Sequence, residues 1–252
     1  MPRTKESANP SLCFPEAATM KEIGIKTLRR MRSVKTYNDW CFKVVQPYVG
    51  RRVVEVGCGI GNMTQYFTGQ DRLVCLDILP EAVDLVRSQF EAWPNVQVVL
   101  GDIVDEGLVH DLGPGSFDTC VSFNVLEHIL DDSRAMSNMA RVLKPGGYVA
   151  TIVPGCGRLY GTLDVNLGHY RRYEPPLLRA LLDAARLEVI EIRWMNLPGM
   201  LGWFLSSRVF RRSVLPKTAL GAFNVLAPLF RKAEALVPVP IGQSLVCVGR
   251  KP

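Results

Sequence analysis

From Arg52 onward, short β-branched runs recur with helical segments between them, and this alternation limits the fold more than any other feature of the chain. The runs are RVVEVG, RLVCLD, VQVVLGD, FDTCVSFN and YVATIVP, separated by NMTQYF, PEAVDLVRSQFEAW and the helix around SRAMSNMARVL. Pro80 suits the first turn of its helix, where its missing N–H is no loss, and Pro145-Gly146-Gly147 ends another helix before a strand. Strands alternating with helices predict a parallel sheet covered on both faces. A further helix, PPLLRALLDAARL, and a strand, LEVIEIRW, extend the series, which then stops.

The remaining segments frame this core. Residues 1–15 read as a disordered tail, residues 16–50 as a helical cap in two pieces, and residues 51–195 as the alternating core. Residues 196–240 are apolar, punctuated by arginines and broken by prolines, and read as a helical insertion before a last strand, SLVCVGR, within 241–252. At 252 residues and 48% apolar, the chain can bury one sizeable core, so residues 16–252 form a single expected domain.

Composition removes several function classes. The 7 cysteines form no C-x-x-C pair and no cluster with histidine, so neither a disulfide frame nor a zinc site is indicated, and no metal is expected. No apolar run reaches the length of a spanning helix and the N-terminus lacks a signal-peptide core, which makes the cytoplasm the expected location. Residues 1–150 carry 16 Lys/Arg against 18 Asp/Glu, whereas residues 151–252 carry 14 against 6. The basic half lacks the dense stripe of a nucleic-acid reader; an anionic small molecule or a membrane surface is the expected reason for it, with no nucleic-acid partner.

Gly57, Gly59 and Gly61 follow the first strand at every second position, behind one acid, Glu55. In an open parallel sheet the ligand lies beyond the carboxyl ends of the strands, where glycine allows unusual φ and a close approach to the backbone. A dinucleotide fingerprint needs its third glycine where Asn62 stands, so a nucleotide-dependent oxidoreductase is disfavoured. Later strand ends supply Asp77 with Ile78, Asp102 with Ile103, and Asn124. Asp77 suits two ribose hydroxyls, Asp102 an exocyclic amine with Ile103 against the base plane, and Glu55 an ammonium group. Such an acidic crevice fits a positively charged adenosyl ligand better than a di- or triphosphate.

On these residues the chain resembles the class I S-adenosylmethionine-dependent methyltransferases. EVGCGIG is similar to their first motif, LD at 76–77 to the ribose-binding acid, GDI at 101–103 to the adenine motif, FDTCVSFNVLEH to the fourth-strand motif, and LKPGG at 143–147 to the turn before the fifth strand. The resemblance implies a doubly wound α/β sheet of seven strands in order 3-2-1-4-5-7-6 with strand 7 antiparallel. It also implies S-adenosyl-L-methionine as cofactor, with the methyl facing a pocket built from the N-terminal helices and the insertion. GIGNMT and GHYRRY resemble a bacterial subgroup that modifies glycans, lipids or small metabolites.

For the acceptor, His128 and His169 are candidate bases, since histidine titrates near working pH. Tyr37 is a candidate pocket residue. Arg171 and Arg172, beside Tyr173, offer guanidinium forks to a carboxylate or phosphate. The expected reaction is methyl transfer to an oxygen of a small-molecule, glycan or lipid-linked acceptor. A cofactor-binding scaffold without catalysis stays open, as does peripheral membrane contact through residues 196–240.

Overall fold

The computed structural model describes residues 15–252, so the expected tail lies outside the described residues except for Pro15. Seven strands form one sheet: β1 (Arg52–Val56), β2 (Arg72–Asp77), β3 (Val96–Leu100), β4 (Phe117–Phe123), β5 (Leu143–Pro154), β6 (Glu188–Met195) and β7 (Ser244–Arg250). Their order is β3-β2-β1-β4-β5-β7-β6, and β7 runs antiparallel to both of its neighbours. The fold implied by the resemblance is the fold observed.

The sheet is buried on both faces because its strands are apolar on both. Val54 and Val56 of β1, Val74 and Leu76 of β2, and Cys120 of β4 point into one layer. Their neighbours Val53, Leu73, Cys75 and Val121 point into the other, as the period of two requires. The first layer is closed by α4 (Glu106–Leu112), α5 (Asp132–Val142) and α7 (Pro175–Ala184), with Met136, Met139 and Leu178 fully buried. The second is closed by α2 (Lys35–Val45), α3 (Pro80–Gln89) and α9 (Lys217–Leu236) through Trp40, Val86 and Leu220. Helices α2 and α9, far apart in sequence, are joined where Tyr37 meets Phe223 edge to face at 5.7 Å and Arg231 Nη1 reaches Asp39 Oδ2 at 3.0 Å.

Three further helices, α1 (Ala17–Arg32), α6 (Thr162–Leu167) and α8 (Leu197–Phe204), stand over the carboxyl ends of the parallel strands. No residue of α1 is buried. Polar ties hold it down: Lys21 Nζ to Glu81 Oε1 at 2.6 Å, Arg32 Nη2 to Gln89 Oε1 at 2.8 Å, and Asn62 Nδ2 to the Leu28 carbonyl at 2.8 Å.

Three local expectations need correction. NMTQYF forms a single 3-10 turn, Thr64–Tyr66, instead of a helix. The left-handed glycines upstream cannot seed an α-helix, and Thr64 turns its hydroxyl inward to Glu55 Oε2 at 2.6 Å. Pro145-Gly146-Gly147 sits in an irregularity within β5, whose pairing with β4 jumps from Phe117↔Leu143 to Thr119↔Tyr148. In the insertion, Pro198 and Pro216 mark helix starts, but α9 runs through Pro228, and a π-helical turn, Leu205–Val209, follows α8.

Candidate active site

A cavity of about 880 Å³ opens over the carboxyl ends of β1, β2 and β4 and runs beneath α1, α8 and α9. Gly57, Gly59, Asp77, Ile78, Asp102, Ile103 and Asn124 all lie on its wall. Four strand ends far apart in the chain therefore meet as the alternation requires.

The glycines divide the work differently from the sequence reading. Gly57 and Gly59 are left-handed, with φ of 73° and 53°, and any β-carbon on Gly57 would run into Val125. One on Gly59 would meet Leu28 Cδ1 of α1 at 3.1 Å, so this glycine admits the roof as well as a ligand. Gly61 is off the wall: its α-carbon faces Phe90 beside α3. Glu55 is also off the wall, 1% exposed beneath the loop. Burial pushes its carboxyl up to about 8, with the Thr64 hydroxyl opposing. The assignment of Glu55 to a ligand's ammonium group is thus corrected: a strand-interior side chain that points into a covered layer cannot reach the cavity.

Asp77 has two tasks. Its Oδ2 accepts from the Gly59 N–H at 2.7 Å and its Oδ1 from the Leu79 N–H at 2.9 Å, which ties the end of β2 to the glycine loop. Its carboxyl group still lines the cavity. Asp102 accepts from the Val104 N–H at 3.0 Å and is exposed beside buried Ile103. Among the described charged side chains on the wall, Asp77, Asp102 and Asp131 are joined by Lys21 as the single lysine or arginine. A donor bearing a cation fits that balance, and a pyrophosphate does not. With no α-helix after the glycine loop, the positive helix end that a pyrophosphate uses is missing too.

At the other end of the cavity, His128 and His169 meet edge to face with ring centroids 4.7 Å apart. His169 Nδ1 lies 2.9 Å from Asp164 Oδ1, and its Nε2 lies 4.0 Å from Glu127 Oε1. Asp164 is fully buried on α6. It also accepts from Arg172 Nε at 2.8 Å, Trp203 Nε1 at 3.2 Å and the Gly161 N–H at 3.0 Å. Burial pushes the Asp164 carboxyl up, but the His169 hydrogen bond and the Arg172 charge outweigh it and leave the group ionised. An ionised Asp164 places the proton of His169 on Nδ1 and leaves Nε2 as an acceptor. Burial lowers the His169 pKa despite Asp164, and burial with repulsion from His169 takes His128 down to about 3 although its ring opens into the cavity. Both imidazoles are neutral at physiological pH. Glu127 is fully buried, with no hydrogen-bond partner among the described residues on either side-chain oxygen, and burial raises it to about 8. Glu127, His128 and His169 also bring one ligand atom each within 4.8 Å of one another, the arrangement among the described residues that a cation would use.

The expected acceptor forks are overturned. Arg171 donates to the Ile129 and Leu130 carbonyls at 2.9 Å and pairs with Asp132 at 2.8 Å. Arg172 is buried, donates to the Gly155 carbonyl at 2.8 Å and stacks over Trp203 at 4.7 Å. Tyr173 is fully buried and donates to Asp132 Oδ2 at 2.9 Å. None of the three lines the cavity. Carboxylates inside the fold pair with both guanidinium groups, and Arg172 Nη2, which has no partner among the described residues, is buried away from the cavity wall. Tyr37, by contrast, is on the wall, near Asn196 and Ser244.

A profile described as a methyltransferase domain matches residues 54–151. The crystal structure of a putative sarcosine dimethylglycine methyltransferase from Galdieria sulphuraria superposes with a TM-score of 0.59 at 16% identity, covering 85% of each chain. Residues 54–151 thus match a methyltransferase domain, and the sheet order is that of the class I S-adenosylmethionine-dependent methyltransferase fold. The chain is 31% identical to a ubiquinone biosynthesis O-methyltransferase of Thiobacillus denitrificans over 105 residues, 41% of this chain and 44% of that one. It is 32% identical to a tRNA N(3)-methylcytidine methyltransferase of Schizosaccharomyces pombe over 103 residues, 38% of this chain and 42% of that one. Each match thus spans less than half of the relative's length.

Proposed function

We propose that this methyltransferase moves the methyl group of S-adenosyl-L-methionine to an oxygen of a small-molecule, glycan or lipid-linked acceptor in the cytoplasm. The observation that carries the reading is one continuous cavity that holds Asp77 and Asp102 at one end and a neutral, carboxylate-oriented His169 at the other. The donor supplies a methyl group already activated by the sulfonium charge, so the protein's main task is to hold acceptor and methyl in line and to keep water out. Asp77 would accept from the ribose hydroxyls and Asp102 from the base amine, and Gly57 and Gly59 would let the backbone approach the donor. His169 takes the acceptor hydroxyl proton on Nε2, while Asp164 stabilises the charge that forms on the ring. The 4.0 Å interval between Nε2 and Glu127 Oε1 is one that a single hydroxyl or water can bridge.

The lining of the cavity includes Met20, Leu28, Met31, Trp203, Leu220 and Phe223, which supports an acceptor with apolar bulk over a nucleotide base or a polyanion. A methyl-labelled donor incubated with fractionated bacterial extracts tests the reading. Label should enter an apolar or amphiphilic fraction with the wild type and fall sharply with His169→Gln. Donor binding without transfer to any fraction would favour the scaffold reading.

A further inference from the structure

Helix α8 carries no charged residue, and a helix apolar on all sides is normally buried all round. Here Trp203 is its one buried residue. Gly202 and Trp203 face the cavity, whereas Leu201 and Phe204 are exposed on the outside, Leu201 at 64%. Also exposed are Phe210, at 60% beyond the π-helical turn, and on α9, which packs against α8, Val225 at 77% and Leu229 at 62%. Helix α9 repeats the two-sided pattern, with Leu220 and Phe223 on the cavity wall.

Cations accompany these apolar side chains and acids do not. Between residues 197 and 233 there are six lysines and arginines and no aspartate or glutamate. Arg231 is paired with Asp39, but among the described residues no carboxylate pairs with Arg208, Arg211, Arg212 or Lys217. Two copies of the chain meeting through this surface would bring these arginines together, which disfavours a symmetric dimer. A polyanion such as nucleic acid would satisfy the arginines and leave Leu201, Val225 and Leu229 in water. An anionic bilayer surface satisfies both, with headgroups for the cations and the acyl boundary for the apolar side chains. No helix of the described residues is long and apolar enough to cross a membrane, so the contact is a surface one.

We infer that α8, the π-helical turn and α9 dock this protein on an anionic lipid bilayer. That the docked face also presents a membrane-resident acceptor to the cavity, whose wall the same two helices form, rests on the methyl-transfer reading above.

Cosedimentation of the full chain with vesicles of phosphatidylcholine mixed with phosphatidylglycerol is the test. The protein should pellet with these vesicles at low salt, release at high salt and ignore pure phosphatidylcholine. Replacing Arg208, Arg211 and Arg212 together by glutamine should weaken partitioning by about a factor of five per residue, roughly a hundredfold in all. A second variant, Val225→Ser with Leu229→Ser, should also weaken it, and since both side chains are exposed it should fold as the wild type does. Calorimetry with S-adenosylhomocysteine should give the same affinity for all three proteins, which keeps failure of docking separate from failure of the donor site. No pelleting at low salt would overturn the inference. So would self-association without vesicles that the same substitutions abolish, since the surface would then join two copies.

Discussion

Asp77→Asn isolates the residue on which the donor end turns. The carboxylate accepts from the Gly59 N–H at 2.7 Å and the Leu79 N–H at 2.9 Å through different oxygens. Asparagine keeps the shape but has one acceptor oxygen, so one of these N–H groups must face an amide NH2. A hydrogen bond to a charged group contributes about 1.5–3 kcal/mol, and the lost bond falls within the glycine loop itself. In a chain of this size roughly 2 kcal/mol corresponds to a drop of about 4–8 °C in Tm. On the proposed methyl-transfer reading the carboxylate also accepts from the ribose hydroxyls, so affinity for S-adenosylhomocysteine should fall by roughly 10- to 100-fold, each tenfold being about 1.4 kcal/mol. Calorimetric titration beside a thermal melt reads both effects. A lower Tm with unchanged affinity would make Asp77 a tie between β2 and the loop and nothing more. No change in either would refute the pairing itself.

Other perturbations reach the rest of the account. Asp164→Asn and His169→Gln should each lower kcat by roughly 10²- to 10⁴-fold, the range for a general base, while leaving donor affinity near wild type in calorimetry. Because burial lowers the pKa of His169, its base form persists below the ordinary histidine value of about 6.5, so kcat should hold through that pH and decline only in more acid solution. Glu55 has a folded pKa of about 8 against an ordinary 4.5, so its contribution to stability is complete below about 4.5 and is lost as pH rises through 8. Glu55→Gln should flatten the decline in stability between pH 5 and about 9 by a few kcal/mol in denaturant titrations, at about 1.4 kcal/mol per pKa unit. Arg172→Gln should cost about 3–5 kcal/mol, because it leaves Asp164 buried with a weakened partner set, whereas a merely acceptor-binding arginine would change KM and leave Tm unmoved.

The strand ends were legible because the features that place them are local. A β-branched run, a glycine or acid at its end and a helix after it put Gly57, Asp77, Asp102 and Asn124 in one crevice by topology alone. What failed was side-chain direction within that frame. Glu55 stands in the same run as the loop glycines, yet the pleat turns it into the layer beneath them, where Thr64 waits. Arg171 and Arg172 follow β5 as an acceptor loop should, but their partners, Asp132 and Asp164, are brought near only by the packed fold, and the pairing turns both guanidinium groups away from the cavity. Asp164 was missed for the same reason. An aspartate in the first turn of a short helix reads as a capping residue, which it is, through the Gly161 N–H. Its second role depends on His169 and Trp203, 5 and 39 residues away, converging on one carboxylate. The roof formed by α1 was expected as part of the N-terminal helical cap; what the sequence did not mark is the tie that seats it, from the Asn62 amide to the Leu28 carbonyl.

The central claim is that the crevice at the strand ends holds an adenosyl sulfonium donor and not a dinucleotide. Calorimetric titration of the full chain with S-adenosylhomocysteine, and separately with NAD, asks this directly. The account predicts one-to-one binding of S-adenosylhomocysteine and no heat from NAD. Binding of NAD with no response to S-adenosylhomocysteine would contradict it.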